Sequence, residues 1–490
     1  MGVSPLLIIL IALDAALLLF AVRRPWAALI VLIGVLPFNG LLLDVVGPKL
    51  GVVDPNSVSR FALAAWRDAI TLGIIAAAGL AVLQTRNWRL SRVELAGAAL
   101  LALALIPLFR SPDVVAGLYA YRILFLPIAL MLALLALART AGLPRRLPGR
   151  VGTAVIATGL IASAYAWVQV YVLGFPYILG FPFEHAFRPY DGIPVAYLAG
   201  EVHQPRAFGT FHSPNEFGAY LFIAGLVTVT PGILPLGKWR PWIAAALAIT
   251  AVLTFSRSAW LSALVGIAAV ALMSGWRPSM RSLPGLRTTA AIGIFVVATG
   301  LVLVTSGGDR FLIATLAGRD SSAEAHLGQF EDIIAGSGVQ QSPTVGFEPG
   351  AGSDDEPRSD GSRFSWLGDG LGTAGPKSDR FSESSQPDRH SDIWYVTYTM
   401  QVGIAGLVVT GAFVVVLLMT LWSARSSSWS VLAAALLMGI GAGALFISVV
   451  SDPTVAVALW TLVGLAVAQP AVVPGSAGTA STGAHTGAAH

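Results

Sequence analysis

The chain has 490 residues, 55% of them hydrophobic and only 11% charged, with a mean hydropathy of +0.75; soluble domains carry about 25% charge, so a water-soluble globular class is excluded and a single membrane domain is expected. The formal charge of +4 is almost wholly arginine, because Lys49, Lys238 and Lys377 are the only lysines. With no cysteine, disulfides, thiolate nucleophiles and Cys-ligated metals are excluded as well.

Apolar runs that approach the ~20 residues needed to cross a bilayer fall at 5–22, 26–44, 64–84, 94–109, 119–138, 151–173, 216–236, 242–256, 259–274, 288–306, 393–422, 431–450 and 454–469. They predict an all-α polytopic bundle of about 12–13 spans occupying residues 1–470, the lower count applying if the first run is re-entrant or the last does not cross. The first run has no positive charge before it and Arg23-Arg24 after it, which reads as a retained span with its N-terminus outside rather than a removed signal peptide. Asp14 lies inside that run, where a charge costs at least ~2.5 kcal/mol. It is either functional or a protonated or snorkelling residue at a helix pair.

Arginine recurs in alternate connections: Arg86/Arg89/Arg92, Arg139/Arg145/Arg146/Arg150, Lys238/Arg240, Arg277/Arg281/Arg287 and Arg425, together with the first pair. The positive-inside rule assigns these to the cytoplasm. The exterior then receives 45–63, 110–118, 174–215, 257–258, 307–392 and 451–453, of which 174–215 and 307–392 are long. Residues 335–389 are rich in Ser, Gly, Asp and Pro and are expected to bury little apolar surface and to be mobile. Residues 471–490 read as a disordered low-complexity tail.

Chemistry collects on the exterior side. His185, His203, His212, His326 and His390 all fall there, as do Arg110, Arg122, Arg188, Arg206, Arg257, Arg310 and Arg319; an arginine at a helix end in a membrane either snorkels to water or meets an anion. Arg206 precedes AFGTFHSPNEFG. There Gly209 permits close backbone approach, and Ser213, Pro214, Asn215 and Glu216 form a helix start, with Ser213 as N-cap, Pro214 at the first position and Glu216 completing a capping box. Such a start can accept an anion; it can equally be an ordinary capped helix beside a surface arginine. Arg257, in TFSRSAWLSALVG, is either a solvated turn residue or a guanidinium aimed between helices, where its donors would suit a phosphate. The last long loop re-enters through RHSDIWYVTYTMQVGIAGLVV. Here His390 or Asp392 could act as an exterior base, and Trp394, Tyr395 and Tyr398 are expected to form an interfacial aromatic belt. No metal-binding signature, P-loop or nucleic-acid motif is present in the sequence, so no metal, cofactor or nucleic-acid partner is expected.

RAFGTFHSPNEFGAYL, TFSRSAWLSALVG, WLGDGLGTAG and HSDIWYVTYTMQVGIAGL together resemble, in order and spacing over 206–407, the O-antigen ligase and polymerase superfamily of bacterial membrane glycosyltransferases. The resemblance implies a GT-C-like fold in the inner membrane and a metal-independent, inverting transfer or polymerisation of an undecaprenyl-pyrophosphate-linked glycan. The acceptor would be lipid A core or another lipid-linked chain. Arg206 and Arg257 would hold the pyrophosphate, with Asn215 and Arg122 as further substrate-binding candidates. Family members carry His-Asn or Asp-Asn about eleven residues before the glycine of the following run. Counting back from Gly403 reaches Asp392, with Ile393 where Asn is expected; register favours Asp392 and neutral-pH chemistry favours His390. This departure weakens the ligase subtype. Two other classes remain open: a small-anion transporter, bicarbonate-like in some relatives' annotation, and a scaffold in an envelope assembly.

Overall fold

The computed structural model describes residues 5–52, 58–85, 88–174, 189–190, 193–194, 198–199, 204–274, 365–374, 394–445 and 449–469. Helices dominate these residues: α1 (Pro5–Arg23), α2 (Pro25–Val35), α3 (Val58–Leu83), α4 (Arg92–Leu103), α5 (Leu105–Phe109), α6 (Val114–Thr140), α7 (Leu147–Val168), α8 (Pro214–Val229), α9 (Arg240–Leu253), α10 (Arg257–Met273), α11 (Trp394–Ser423), α12 (Ser428–Gly443) and α13 (Pro453–Ala468). Short helical turns follow α2 as far as Lys49, and a five-residue π turn extends α7 to Leu173. Two antiparallel pairs of two-residue strands, β1 (Pro189–Tyr190) with β2 (Ile193–Pro194) and β3 (Leu198–Ala199) with β4 (Gln204–Pro205), lie between α7 and α8. Among the described residues, 6 helices are long and apolar enough to cross a membrane, and Pro25–Leu41, Arg257–Met273, Ser428–Gly443 and Pro453–Ala468 are shorter apolar helices. The chain is an all-α, multi-pass membrane protein.

Burial divides the helices into a centre and a periphery. On α1, Ile8, Ile9, Ile11 and Leu13 are all exposed, as suits a face bathed in lipid rather than water. Every residue of α13 from Thr454 to Ala466 is buried, and α8 is buried without interruption from Phe217 to Ala224. Burial on all sides requires protein neighbours on all sides: α13 packs on α6, α7, α8, α11 and α12, and α8 on α7, α9, α10, α12 and α13. Small residues permit the closest approaches. Gly439 and Gly443 of α12 lie against Ser258 and Ser262 of α10, and a Cβ at Gly464 would be 3.1 Å from Met131 on α6.

Several of the connections contact one another. Arg139, at the end of α6, pairs with Glu94, donates to Arg89 O at 2.8 Å and lies over the Trp88 ring; Gly149 and Gly152 meet Leu234, and Gly232 lies against Ser428. These are the arginine-bearing connections. Among the other connections, Thr210 Oγ1 donates to Pro37 O at 2.7 Å, Arg206 reaches Thr254, and Ser111 Oγ donates to Leu371 O at 2.7 Å.

One helix is broken. Gly403 has φ 76 and ψ 177 inside α11, which frees main-chain groups on both sides of the break. Residues 365–374 take them up: Asp369 N donates to Met400 O (2.8 Å), Gly370 N to Gln401 O (3.3 Å), Ile404 N to Ser365 O (3.2 Å) and Ala405 N to Trp366 O (3.1 Å). Gln401 adds its side chain, accepting from Gly372 N and donating to Ala374 O. The expectation that 335–389 buries little is thus overturned for this stretch, in which Leu371 is fully buried. Its glycines, Gly368, Gly370 and Gly372, all have positive φ, so the segment is shaped to approach another backbone closely. The belt expectation also needs correcting: Tyr398 is buried, stacks on Trp394 at 4.5 Å and shares a hydrogen bond with Thr410 Oγ1 at 2.7 Å, while Tyr395 donates to Gly441 O. Tyr398 packs between helices, while Trp394 and Tyr395 are half-buried. Gly403→Ala is expected to destabilise the detergent-solubilised protein by about 1–3 kcal/mol, lowering its melting temperature. Gly411→Ala, in the same helix with nothing within 4 Å of its Cβ, should not.

Candidate functional site

Residues 206–213 run as irregular backbone into the start of α8, and neighbouring elements hold them in place. Gln169, wholly buried at the end of α7, accepts from Phe208 N (3.2 Å) and Gly209 N (3.1 Å) through one side-chain oxygen. Gly209 has φ 57, and a Cβ there would be 3.0 Å from Ala162 O, so this position requires both the left-handed region and the missing side chain. Gly40 allows a close approach from the other side, where a Cβ would be 2.5 Å from Thr210 O.

Two helix starts meet here. Ser213 caps α8, its Oγ accepting from Glu216 N at 3.2 Å with Pro214 in the first position, which is the half of the expected capping box that Ser213 supplies. Ser256 caps α10, accepting from Ala259 N, and Arg257 is its first residue. The tight connection expected at 257–258 is displaced by this cap to 254–256, where Phe255 has φ 48. At Gly218 of α8 a Cβ would be 2.9 Å from Ala259 Cβ and 3.1 Å from Ser256 Cβ, so the first turns of α8 and α10 are in contact. Each start directs remaining N–H groups and a partial positive charge toward the same end.

Arg206 ties the two together. Its Nε donates to Thr254 O at 2.8 Å and its Nη2 to Asn215 Oδ1 at 2.6 Å, a fork that a planar guanidinium can span and an ammonium cannot. Arg206, Asn215 and Arg257 are thereby gathered at one place, all half-buried. Arg122 is held elsewhere: its Nε lies 3.3 Å from Asp68 Oδ1 and its guanidinium 5.1 Å from the Tyr119 ring centroid. His390 and Asp392 lie outside the described residues.

A polar chain runs from this place into α3. Trp66 Nε1 donates to Asn39 Oδ1 at 3.3 Å, and Asn39 Nδ2 faces His212 Nε2 at 3.4 Å. Because indole can only donate, the Asn39 oxygen must face Trp66 and its NH₂ must face His212. His212 Nε2 is then an acceptor, with the ring proton on Nδ1. Sequence reading missed Gln169, Asn39, Arg67 and Asp68 as parts of this end of the molecule. The signal available for Gln169, Arg67 and Asp68 was their polarity inside apolar runs. Asn39, inside the run 26–44, gives the same signal.

No protein-family model, curated protein or solved structure matches the chain. The class that fold and site define is a polytopic helical membrane protein with an arginine-bearing site at two abutting helix starts.

Arg206→Lys is expected to lose the bridge between Asn215 and Thr254 and to cost about 1.5–3 kcal/mol, the usual worth of a hydrogen bond to a charged group. Ser213→Ala should cost about 1 kcal/mol. Thermal denaturation of the two variants side by side checks the order.

Proposed function

We propose that this protein is a metal-independent, inverting membrane glycosyltransferase of the O-antigen ligase and polymerase type, with its site on the exterior face of a bacterial inner membrane. The observation that carries the reading is the convergence of Arg206, Asn215 and Arg257 on the abutting starts of α8 and α10. Permanent cations and helix N-termini together suit a phosphate-bearing ligand. The donor on this reading is an undecaprenyl-pyrophosphate-linked glycan, the acceptor another lipid-linked glycan, and the thirteen apolar runs form a GT-C-like bundle. Polymerisation is favoured over ligation because the register of the re-entry motif falls on Asp392, as in some polymerase-like members, rather than on His390.

In the reaction an acceptor hydroxyl attacks the anomeric carbon opposite the pyrophosphate, and the bond from that carbon to the phosphate oxygen breaks. Negative charge grows on the departing oxygen. Arg206, already oriented by Thr254 and Asn215, meets that charge without reorganising, the condition under which such donors lower a barrier most. The acceptor's proton passes to His390 or Asp392. The rival small-anion passage requires its charged residues near mid-depth, whereas Arg257 opens α10 and Arg206 precedes α8.

Arg206→Ala and Arg257→Ala should each lower glycan transfer by about a hundredfold or more with undiminished protein in the membrane fraction, and wild-type product in both would sink the proposal; separate replacement of His390 and Asp392 in the same assay identifies the base. The side assignment has its own check, helped by the absence of native cysteine. Pro112→Cys and Ser426→Cys fall at exposed positions in connections that the charge pattern assigns to opposite sides. An impermeant maleimide should label the first in intact spheroplasts and the second only after permeabilisation. The reverse pattern would invert the topology.

A further inference from the structure

Arg67 and Asp68 lie well inside α3, and Arg122 well inside α6, each roughly 12–15 Å below its helix start at 1.5 Å per residue. They face one another across a cavity of about 20 Å³ that Thr71, Pro127 and Pro453 also line. Asp68 is engaged by Arg122. Arg67 is different: its guanidinium has no hydrogen bond or ion pair among the described residues, and its Nε is buried. An unpaired guanidinium at this depth, among apolar helices, is costly unless something anionic reaches it.

The other acidic groups nearby do not supply that anion. Asp14 on α1 is near enough to Asp68 to be felt as a like charge, and no ion pair joins it to Arg67 among the described residues. Asp452 is occupied in capping α13, accepting from Thr454 N at 2.8 Å and Val455 N at 2.9 Å. The α13 start is therefore already closed and contributes nothing to the site. Pro127 cannot donate to the carbonyl of Ile123 one turn back, and this gap in the α6 ladder opens onto the same cavity.

We propose that this cavity is a second anion site, in which Arg67 and Arg122 grip one oxygen of a phosphate group. The room available is that of a single water-sized group, too small for a sugar. A tetrahedral phosphate would place one oxygen between the two guanidiniums and keep the rest of its ligand at the mouth. That mouth is open, since the side chains of Arg122 and Asp68 remain 26% and 20% accessible. Two guanidiniums against one carboxylate leave donors in excess, and their planar forks match phosphate oxygens. The site uses neither Arg206 nor Arg257 and does not depend on the glycan-transfer reading. Asp68 is its internal competitor, occupying Arg122 until the ligand enters.

The phosphate can arrive free in water or on a lipid headgroup, and two arms separate these sources. In the first, the full chain in a phosphate-free detergent is equilibrated with labelled orthophosphate. In the second, phosphatidylglycerol molecules retained by the chain are counted by native mass spectrometry. Arg67→Gln breaks no bond among the described residues and should leave the melting temperature unchanged while weakening binding about tenfold in at least one arm, as loss of a charge-assisted contact does. Asp68→Asn should tighten it. Binding that survives in Arg206→Gln but is lost in Arg67→Gln assigns the ligand to this cavity, whatever becomes of glycan transfer. Wild-type binding by Arg67→Gln in both arms, no binding by the wild type in either, or displacement by chloride as readily as by phosphate would each overturn the proposal.

Discussion

Hydrocarbon offers no hydrogen bonds, so every main-chain N–H and C=O at membrane depth needs a partner within the protein. This constraint explains the parts of the molecule that are not regular helix. The break at Gly403 persists because 365–374 supplies donors and acceptors to both of its edges. Residues 206–213 can be irregular because Gln169, Pro37 and Leu253 meet their polar groups, Leu253 through a 2.9 Å bond from Ala207 N. Hydroxyls follow the same logic, as Thr158, Thr228, Thr230 and Thr250 return their protons to carbonyls one turn back. Irregular backbone in such a protein marks a place where tertiary structure has been organised around it.

The two arginine clusters differ in a way that matters for chemistry. Arg206 is held by two acceptors in a fixed direction. Arg67 has no such restraint and lies beside an arginine already engaged with Asp68. A short polar chain, Trp66 to Asn39 to His212, connects the helix that carries Arg67 with the segment that carries Arg206. It fixes the position of α3 relative to the start of α8, and so the distance between the two clusters.

Local requirements are legible in the amino-acid sequence itself. The cap at Ser213, the proline after it and the need for Gly209 follow from dihedral and donor requirements within a few residues, and all are present. Arg122 is legible as an arginine that needs a partner, but not as the partner of Asp68. The order within 365–374 is hidden because its composition is that of a mobile loop; what orders it is a break in a helix about thirty residues later.

Composition and hydropathy are sums over neighbouring residues, and capping is settled within one turn, so the sequence by itself determined the membrane class, the apolar runs and the helix starts. Pairings between distant residues depend on which helices pack side by side. Thr210 with Pro37 spans 173 positions, Ser111 with Leu371 spans 260, and Arg206 with Thr254 spans 48. The tertiary structure alone decided that the starts of α8 and α10 abut, that Arg122 belongs with Arg67 and Asp68 rather than with Arg206, and that a glycine-rich loop repairs α11. The physical reason is that burial of α8 and α13 on all sides selects one arrangement of helices, and only within that arrangement do these polar groups come within hydrogen-bonding reach.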